Sequence, residues 1–197
     1  MNKRTLGIVA ILGGIAAWIY YQQSQAPAGG SNDALSFSND PIGSISDALV
    51  SSTAGWKSVG MGATWVPYLN AAEVQYNIPT DLLARIAYAE SHFRDDIISG
   101  ETASSAGALG LMQLEPQYFQ SVRVPTPFSA DDTIAQINDG AQDLITNYHA
   151  LGNWPQAVAA YNAGLTTIQK GNASAANAAT TAAYVAQILA DVPAANS

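Results

Sequence analysis

The stretch PTDLLARIAYAESHF, residues 79–93, sets apolar side chains at helical spacing around a single carboxylate, Glu90. Pro79-Thr80-Asp81 is a start signal: Thr80 is expected to cap the helix and Asp81 to sit at the positive end of its dipole, so the helix is predicted from Asp81 to Ser91. At about 100° per residue, with Leu82 at 0°, Leu83 falls near 100°, Ile86 near 40°, Ala87 near 140° and Glu90 near 80°. Glu90 therefore stands in the middle of the apolar stripe. Arg85 and Tyr88 fall on the opposite side, where solvent is expected.

Burying an ionised carboxylate costs several kcal/mol unless it is paired, so a group in this position takes a cationic partner or keeps its proton and faces a cleft. Periodicity does not separate the two. One reading is a core acid neutralised by Arg94 or Arg123. The other is a catalytic acid of the kind that cleaves glycosidic bonds, where the leaving oxygen must gain a proton as its bond breaks.

From Trp65 onward helical spacing recurs, in TWVPYLNAAEVQYN, ADDTIAQINDGAQDLITNYHALG, NWPQAVAAYNAG and ATTAAYVAQILADV. The breaks contain Pro79, Gly100, Gly107, Pro125, Pro127, Gly152 and Gly171, all turn or cap residues. No sustained strand alternation appears. The fold class is mainly α, with at most a small β-hairpin in the Gly/Ser-rich stretch 98–110.

The N-terminal residues read differently. Lys3 and Arg4 precede TLGIVAILGGIAAWIYY, residues 5–21, an uncharged run ending in Trp18, Tyr20 and Tyr21, which suit a membrane interface. The run's length and aromatic end favour a retained transmembrane anchor. A cleaved signal with a site at Ser24-Gln25-Ala26 is the alternative. Either way residues 1–4 form a cytoplasmic stub and the rest crosses, as a single-pass membrane protein facing the periplasm or exterior, or as a secreted periplasmic or virion-associated one. Residues 22–60, rich in Ser, Gly, Asn and Ala, read as a flexible linker, and 61–197 as the folded domain.

Composition excludes several classes. The 197 residues contain 7 basic and 15 acidic side chains; removing Lys3 and Arg4 leaves 5 against 15, a net of −10, the wrong sign for nucleic-acid binding. There is no cysteine, hence no disulfide, thiolate metal site or cysteine nucleophile. His92 and His149 are too isolated for a metal site; both are expected near helix C-termini, where histidine favours the dipole. Asp131, Asp132, Asp139 and Asp143 lack calcium-loop spacing and read as a solvated helix face. No metal and no cofactor is expected.

Two further stretches bear on Glu90. GALGLMQL, residues 107–114, strings glycines into an apolar segment, allowing close approach of backbone to a ligand, and presents the amide of Gln113. AAYNAG, residues 159–164, ends a helix opened by Pro155, with Gly164 at its C-terminus and Tyr161-Asn162 at its end.

In that order, Glu-Ser, GLMQ and AYNAG make the chain resemble the lytic transglycosylases that share a lysozyme-like fold with goose-type lysozyme, over roughly residues 65 to 190. The resemblance implies that Glu90 is the catalytic acid and base. It further implies that Ser91 lies beside it, that Ser104 and Gln113 contact sugar, and that Met112 packs beneath the cleft. Tyr161 and Asn162 would be ligands of Glu90 or the substrate, and Tyr184 the tyrosine of the last helix. The implied substrate is peptidoglycan, cut between N-acetylmuramic acid and N-acetylglucosamine to leave a 1,6-anhydro end. The implied partners are glycan strands, the membrane through the N-terminal helix, and a larger envelope-spanning or virion assembly.

The chain also departs from the family's pattern. The stretch from Glu90 to Ser104 is some five residues longer than is common, Gln136 stands where asparagine is common, and Thr180-Thr181 stands where many relatives have Glu-Thr. Two alternatives stay open: a water-using muramidase with Glu115, Asp95, Asp96 or Glu101 as second carboxylate, and a non-catalytic peptidoglycan-binding scaffold.

Overall fold

The computed structural model describes residues 55–195. The expected anchor at 5–21 and most of the linker lie outside them. Among the described residues no helix is long and apolar enough to cross a membrane.

The domain is helical. A 3-10 turn, Gly55–Ser58, leads into α1 (Gly62–Tyr76), α2 (Leu82–Ser91), the short α3 (Asp95–Ile98), α4 (Ala130–Leu151), α5 (Trp154–Ala163), the short α6 (Leu165–Lys170) and α7 (Ala175–Asp191). The five longer helices agree with the sequence pattern to within a few residues, and α3 and α6 are additional. In place of a hairpin there is one isolated antiparallel bridge, Leu109 to Leu114.

Local chemistry explains the boundaries. At the start of α4, the Ser129 hydroxyl accepts from the Asp132 N–H while the Asp132 carboxylate accepts from the Ser129 N–H, a reciprocal capping box. Between α4 and α5, Gly152 turns left-handed and Asn153 accepts from the Gln156 N–H just ahead of Pro155. Tyr148 stacks on Trp154 across that turn, ring centroids 4.0 Å apart.

The packing closes on itself: α1 touches α4, α4 touches α5, α5 touches α7, α7 touches α2 and α2 touches α1. Helix α2 lies between α1 and α7 with the 3-10 turn against it, and every residue from Leu82 to Ser91 except Ala89 is buried. This corrects the expectation for Arg85 and Tyr88, which are 1 % and 4 % exposed. The amphipathic pattern misleads here because the far side of α2 is covered by a segment read as linker. Trp56 lies against Tyr88 and Phe93, with the Arg85 guanidinium 5.8 Å from its ring centroid. Lys57 pairs with Asp81 at 2.7 Å.

The start of α2 also differs from expectation. Thr80 is exposed and the N-cap is Asp81, in left-handed conformation, without a side-chain cap bond. The cap comes from α1 instead: the Glu73 carboxylate accepts the Asp81 N–H at 2.7 Å and the Ala84 N–H at 3.0 Å. A buried acid at a helix N-terminus satisfies N–H groups that have no partner within the helix.

Residues 55–60 thus belong to the domain. Trp56→Ala is expected to lower its unfolding free energy by about 3–5 kcal/mol, read by urea titration; a loss typical of an exposed side chain would return this segment to the linker.

Candidate active site

Glu90 sits in the last turn of α2, 6 % exposed. The ion pairs among the described residues are Lys57–Asp81, Arg85–Asp191 and Arg94–Asp96, none of which includes it. Arg123 binds the Pro116 and Gln117 carbonyls. The reading of Glu90 as a core acid neutralised by Arg94 or Arg123 is therefore overturned. What Glu90 has is one neutral donor, the Tyr184 hydroxyl of α7, 2.7 Å from its Oε1. Burial pushes its carboxyl from 4.5 up to about 7, against the pull of the Tyr184 bond.

Both nearby phenols are held neutral. Burial first, then the charge of Glu90, pushes Tyr184 and Tyr161 well above the usual phenol range. Tyr161 donates its hydroxyl to the Met112 carbonyl at 3.0 Å, and Asn162 accepts from the Thr181 hydroxyl at 3.0 Å. The hydrogen bond to Glu90 thus comes from Tyr184, while Tyr161 and Asn162 join α5 to the GLMQ segment and to α7. Thr181 makes that link through its hydroxyl; Thr180 is exposed and bonds back to Ala176.

The GLMQ segment is a tight turn pressed onto α4. Gly110 has φ +76°, and a Cβ there would lie 2.0 Å from Gln136 Oε1, which accepts the Leu111 N–H at 3.2 Å. The glycine thus admits an internal side chain rather than a ligand. Met112 is fully buried, and a Cβ on Gly140 of α4 would lie 2.8 Å from its Cε and 3.2 Å from the Tyr161 hydroxyl. Gln113 adopts a left-handed φ of +48°, a costly conformation outside glycine, and its half-buried amide donates to the Gly110 carbonyl.

Other expected site residues are engaged with backbone. The fully buried Ser91 hydroxyl donates to the Ala87 carbonyl and accepts the Phe93 N–H, closing the end of α2 rather than facing outward. Ser104 pairs with Ala108 through both its N–H and its Oγ. The longer stretch before it is folded around Asp96, which binds Arg94 through two nitrogens and accepts the Thr102 hydroxyl. His92 does not favour the dipole by its charge: burial, with Arg85 and Arg94 nearby, lowers it from 6.5 to about 4, so it is neutral.

Of the four aspartates read as a solvated face, only Asp131 is exposed. Asp132 caps α4 and Asp139 accepts the Ser121 hydroxyl at 2.7 Å. Asp143 lies one turn beyond Gly140, its carboxyl pushed by burial to about 6, and its charge raises Tyr161. Its place on the inner side of α4 had one sequence signal, the i+3 spacing from a glycine. No group of side chains suited to a metal occurs among the described residues.

Fold and site define a helical domain that holds the carboxyl of Glu90 between α2 and α7, with no ion-pair partner among the described residues and with neutral phenols beside it. The family model described as Transglycosylase SLT domain matches residues 67–184, more than half of the chain. The chain belongs to this family, the SLT lytic transglycosylases. A protein named Transglycosylase from Enterobacteria phage PRD1 is 34% identical over 102 residues, covering 51% of this chain and 35% of that protein. The chain thus spans about a third of the length of that curated relative. No solved structure matches.

The carboxyl of Glu90 links stability to pH. Its folded pKa of about 7 lies above the unfolded 4.5, so the folded state holds the proton better and the group's contribution fades as pH rises through about 7. Glu90→Gln is expected to be more stable than the parent near about pH 8, by up to about 3 kcal/mol, and to lose that advantage near about pH 4. Thermal melts at both values check this; an advantage independent of pH would mean that Glu90 does not titrate there.

Proposed function

We propose that this chain is a peptidoglycan lytic transglycosylase in which Glu90 serves first as acid and then as base. The observation that carries the reading is Glu90 itself, buried with no ion-pair partner among the described residues, its pKa pushed up to about 7 by desolvation against the pull of one phenol. A carboxyl poised near pH 7 is protonated often enough to give a proton and basic enough, once ionised, to take one.

In the first step Glu90 transfers its proton to the oxygen joining N-acetylmuramic acid to N-acetylglucosamine. The C1–O bond breaks, the N-acetylglucosamine side leaves as an alcohol, and the muramic acetamido oxygen bonds to C1 in place of a protein nucleophile. In the second, ionised Glu90 removes the C6 hydroxyl proton, O6 attacks C1 and the acetamido oxygen departs. The product carries a 1,6-anhydro ring and Glu90 is again protonated. Tyr184 stays neutral throughout and orients the carboxyl. Ser104, Gln113, Tyr161 and Asn162 are proposed to line the sugar path, with Ser91 supporting Glu90 from behind.

Hydrolysis would need a second carboxylate to activate water. Asp96 is held by Arg94 and Thr102, and Glu115, buried and raised, accepts from Gln117. Neither is a free base, which favours internal attack. Outside the described residues we read 5–21 as an anchor that keeps the domain on the outer face of the membrane. The phage protein among its relatives makes wall penetration by a virus one natural setting.

Digestion of purified peptidoglycan followed by mass spectrometry tests the chemistry. Anhydro fragments, lighter than hydrolysed ones by one water, are expected, and kcat/KM should fall as pH rises through about 7. Glu90→Gln should lose activity by at least about a hundredfold. Fragments at the hydrolysed mass would replace transglycosylation with muramidase chemistry, and an active Glu90→Gln would remove the assignment altogether.

A further inference from the structure

Helices α2 and α7 meet at two polar contacts. Near the C-terminus of α2, Glu90 takes the Tyr184 hydroxyl; one and a half turns earlier, Arg85 Nε lies 2.5 Å from Asp191 Oδ2. Arg85 with Asp191 and Glu90 with Tyr184 means the helices run antiparallel. Tyr184 and Asp191 are seven residues apart, so they share one stripe of α7 about 10 Å long, while Arg85 and Glu90 are offset by about 140° around α2. The long arginine side chain bridges that offset.

The ion pair is a poor device for stability alone. Its side chains are 1 % and 3 % exposed, and Arg85 Nη1 is buried without a hydrogen-bond partner. Desolvating two charges this deeply returns little over apolar side chains of similar size. What a charge pair adds is register: a one-residue slip of α7 would turn Asp191 away by about 100° and strand both charges. Trp56 and Tyr88 close over the guanidinium at 5.8 and 5.1 Å. Both Trp56 and Asp191 lie outside the residues matched by the family model, 67–184.

We propose that the Arg85–Asp191 pair is a positioning latch, setting the register of α7 on α2 and so holding the Tyr184 hydroxyl on Glu90. The latch acts on the acid only through Tyr184. It rests on the proposed role of Glu90 for its catalytic consequence, but not for its effect on that carboxyl.

Other ionisable groups face the same region. Tyr161 of α5 and Asp143 of α4 lie on the far side, Glu73 of α1 caps the other end of α2, and His92 is neutral above about pH 4. Because Glu73 and Asp143 also titrate in this range, a rate profile alone is ambiguous. The readout is the titration of Glu90 followed by NMR in full-length protein carrying 13C-labelled glutamate, assigned by its loss in Glu90→Gln.

Tyr184→Phe removes a donor that lowers Glu90, so its midpoint should rise, by about one pH unit. The pair Arg85→Met with Asp191→Leu, which unfastens the helices and strands no charge near Glu90, should raise it similarly and lower kcat more than it changes KM. In the Tyr184→Phe background this pair should add nothing further. If it does not fold, Arg85→Gln with Asp191→Asn also removes both charges and is read the same way. An unchanged Glu90 midpoint in a folded variant, or shifts that add in full to that of Tyr184→Phe, would overturn the latch. An active Glu90→Gln, alongside the expected Glu90 midpoint shifts in the other variants, would instead overturn the proposed reaction and leave the latch standing.

Discussion

The structure turns on an acid, Glu90, withdrawn from water with no ion-pair partner among the described residues. A carboxylate so placed favours its protonated form by several kcal/mol over the ordinary case, and that holds only while the surroundings stay closed. Closure requires α2 to be buried around nearly its whole circumference, which few surface helices of a domain this size are. Helices α1 and α7 and the 3-10 turn at Gly55–Ser58 pack on α2, and its polar groups then each need an internal partner. Glu73 satisfies its first N–H groups, Ser91 joins the backbone at its end, and Asp191 meets Arg85.

The same demand for internal partners shapes the loop between α3 and α4. Its glycines look like places where a ligand could approach the backbone. Gly110 in fact lies against the amide of Gln136, whose oxygen takes the Leu111 N–H. Met112 fills the space over Gly140, and its carbonyl receives Tyr161. Sequence motifs that read as a row of sugar contacts are, at this level, an interlocked packing unit. That packing fixes Gln113 through the Gly110 carbonyl and Tyr161 through the Met112 carbonyl.

The acids elsewhere in the domain divide by partner rather than by position in the sequence. Asp96 is fastened to Arg94 and Thr102, Asp132 to the start of α4, Asp139 to Ser121. Asp143, by contrast, is drawn inward beside Tyr161 and keeps its proton more readily than an ordinary aspartate. A single carboxyl with a neutral phenol donor suits the proposed reaction, in which the substrate supplies its own nucleophile, while two of the candidate second carboxylates, Asp96 and Glu115, are engaged by neighbouring side chains.

Periodicity, capping residues and glycines were enough to determine the helical class, the extents of the longer helices to within a few residues, and the presence of Glu90 on a buried stripe, because each follows from local backbone geometry. The order Glu-Ser, GLMQ, AYNAG was enough to point to the family. Only the tertiary structure decided that Arg85 and Tyr88 are buried, that Trp56 belongs to the core, that Glu73 caps α2, and that Tyr184 rather than Tyr161 holds Glu90. Each depends on a contact between residues distant in the chain, up to 106 positions for Arg85 and Asp191. A helical pattern specifies which side chains share a face, but what covers that face, and hence whether a charge on it is solvated, paired or left to keep its proton, is a property of the assembled helices.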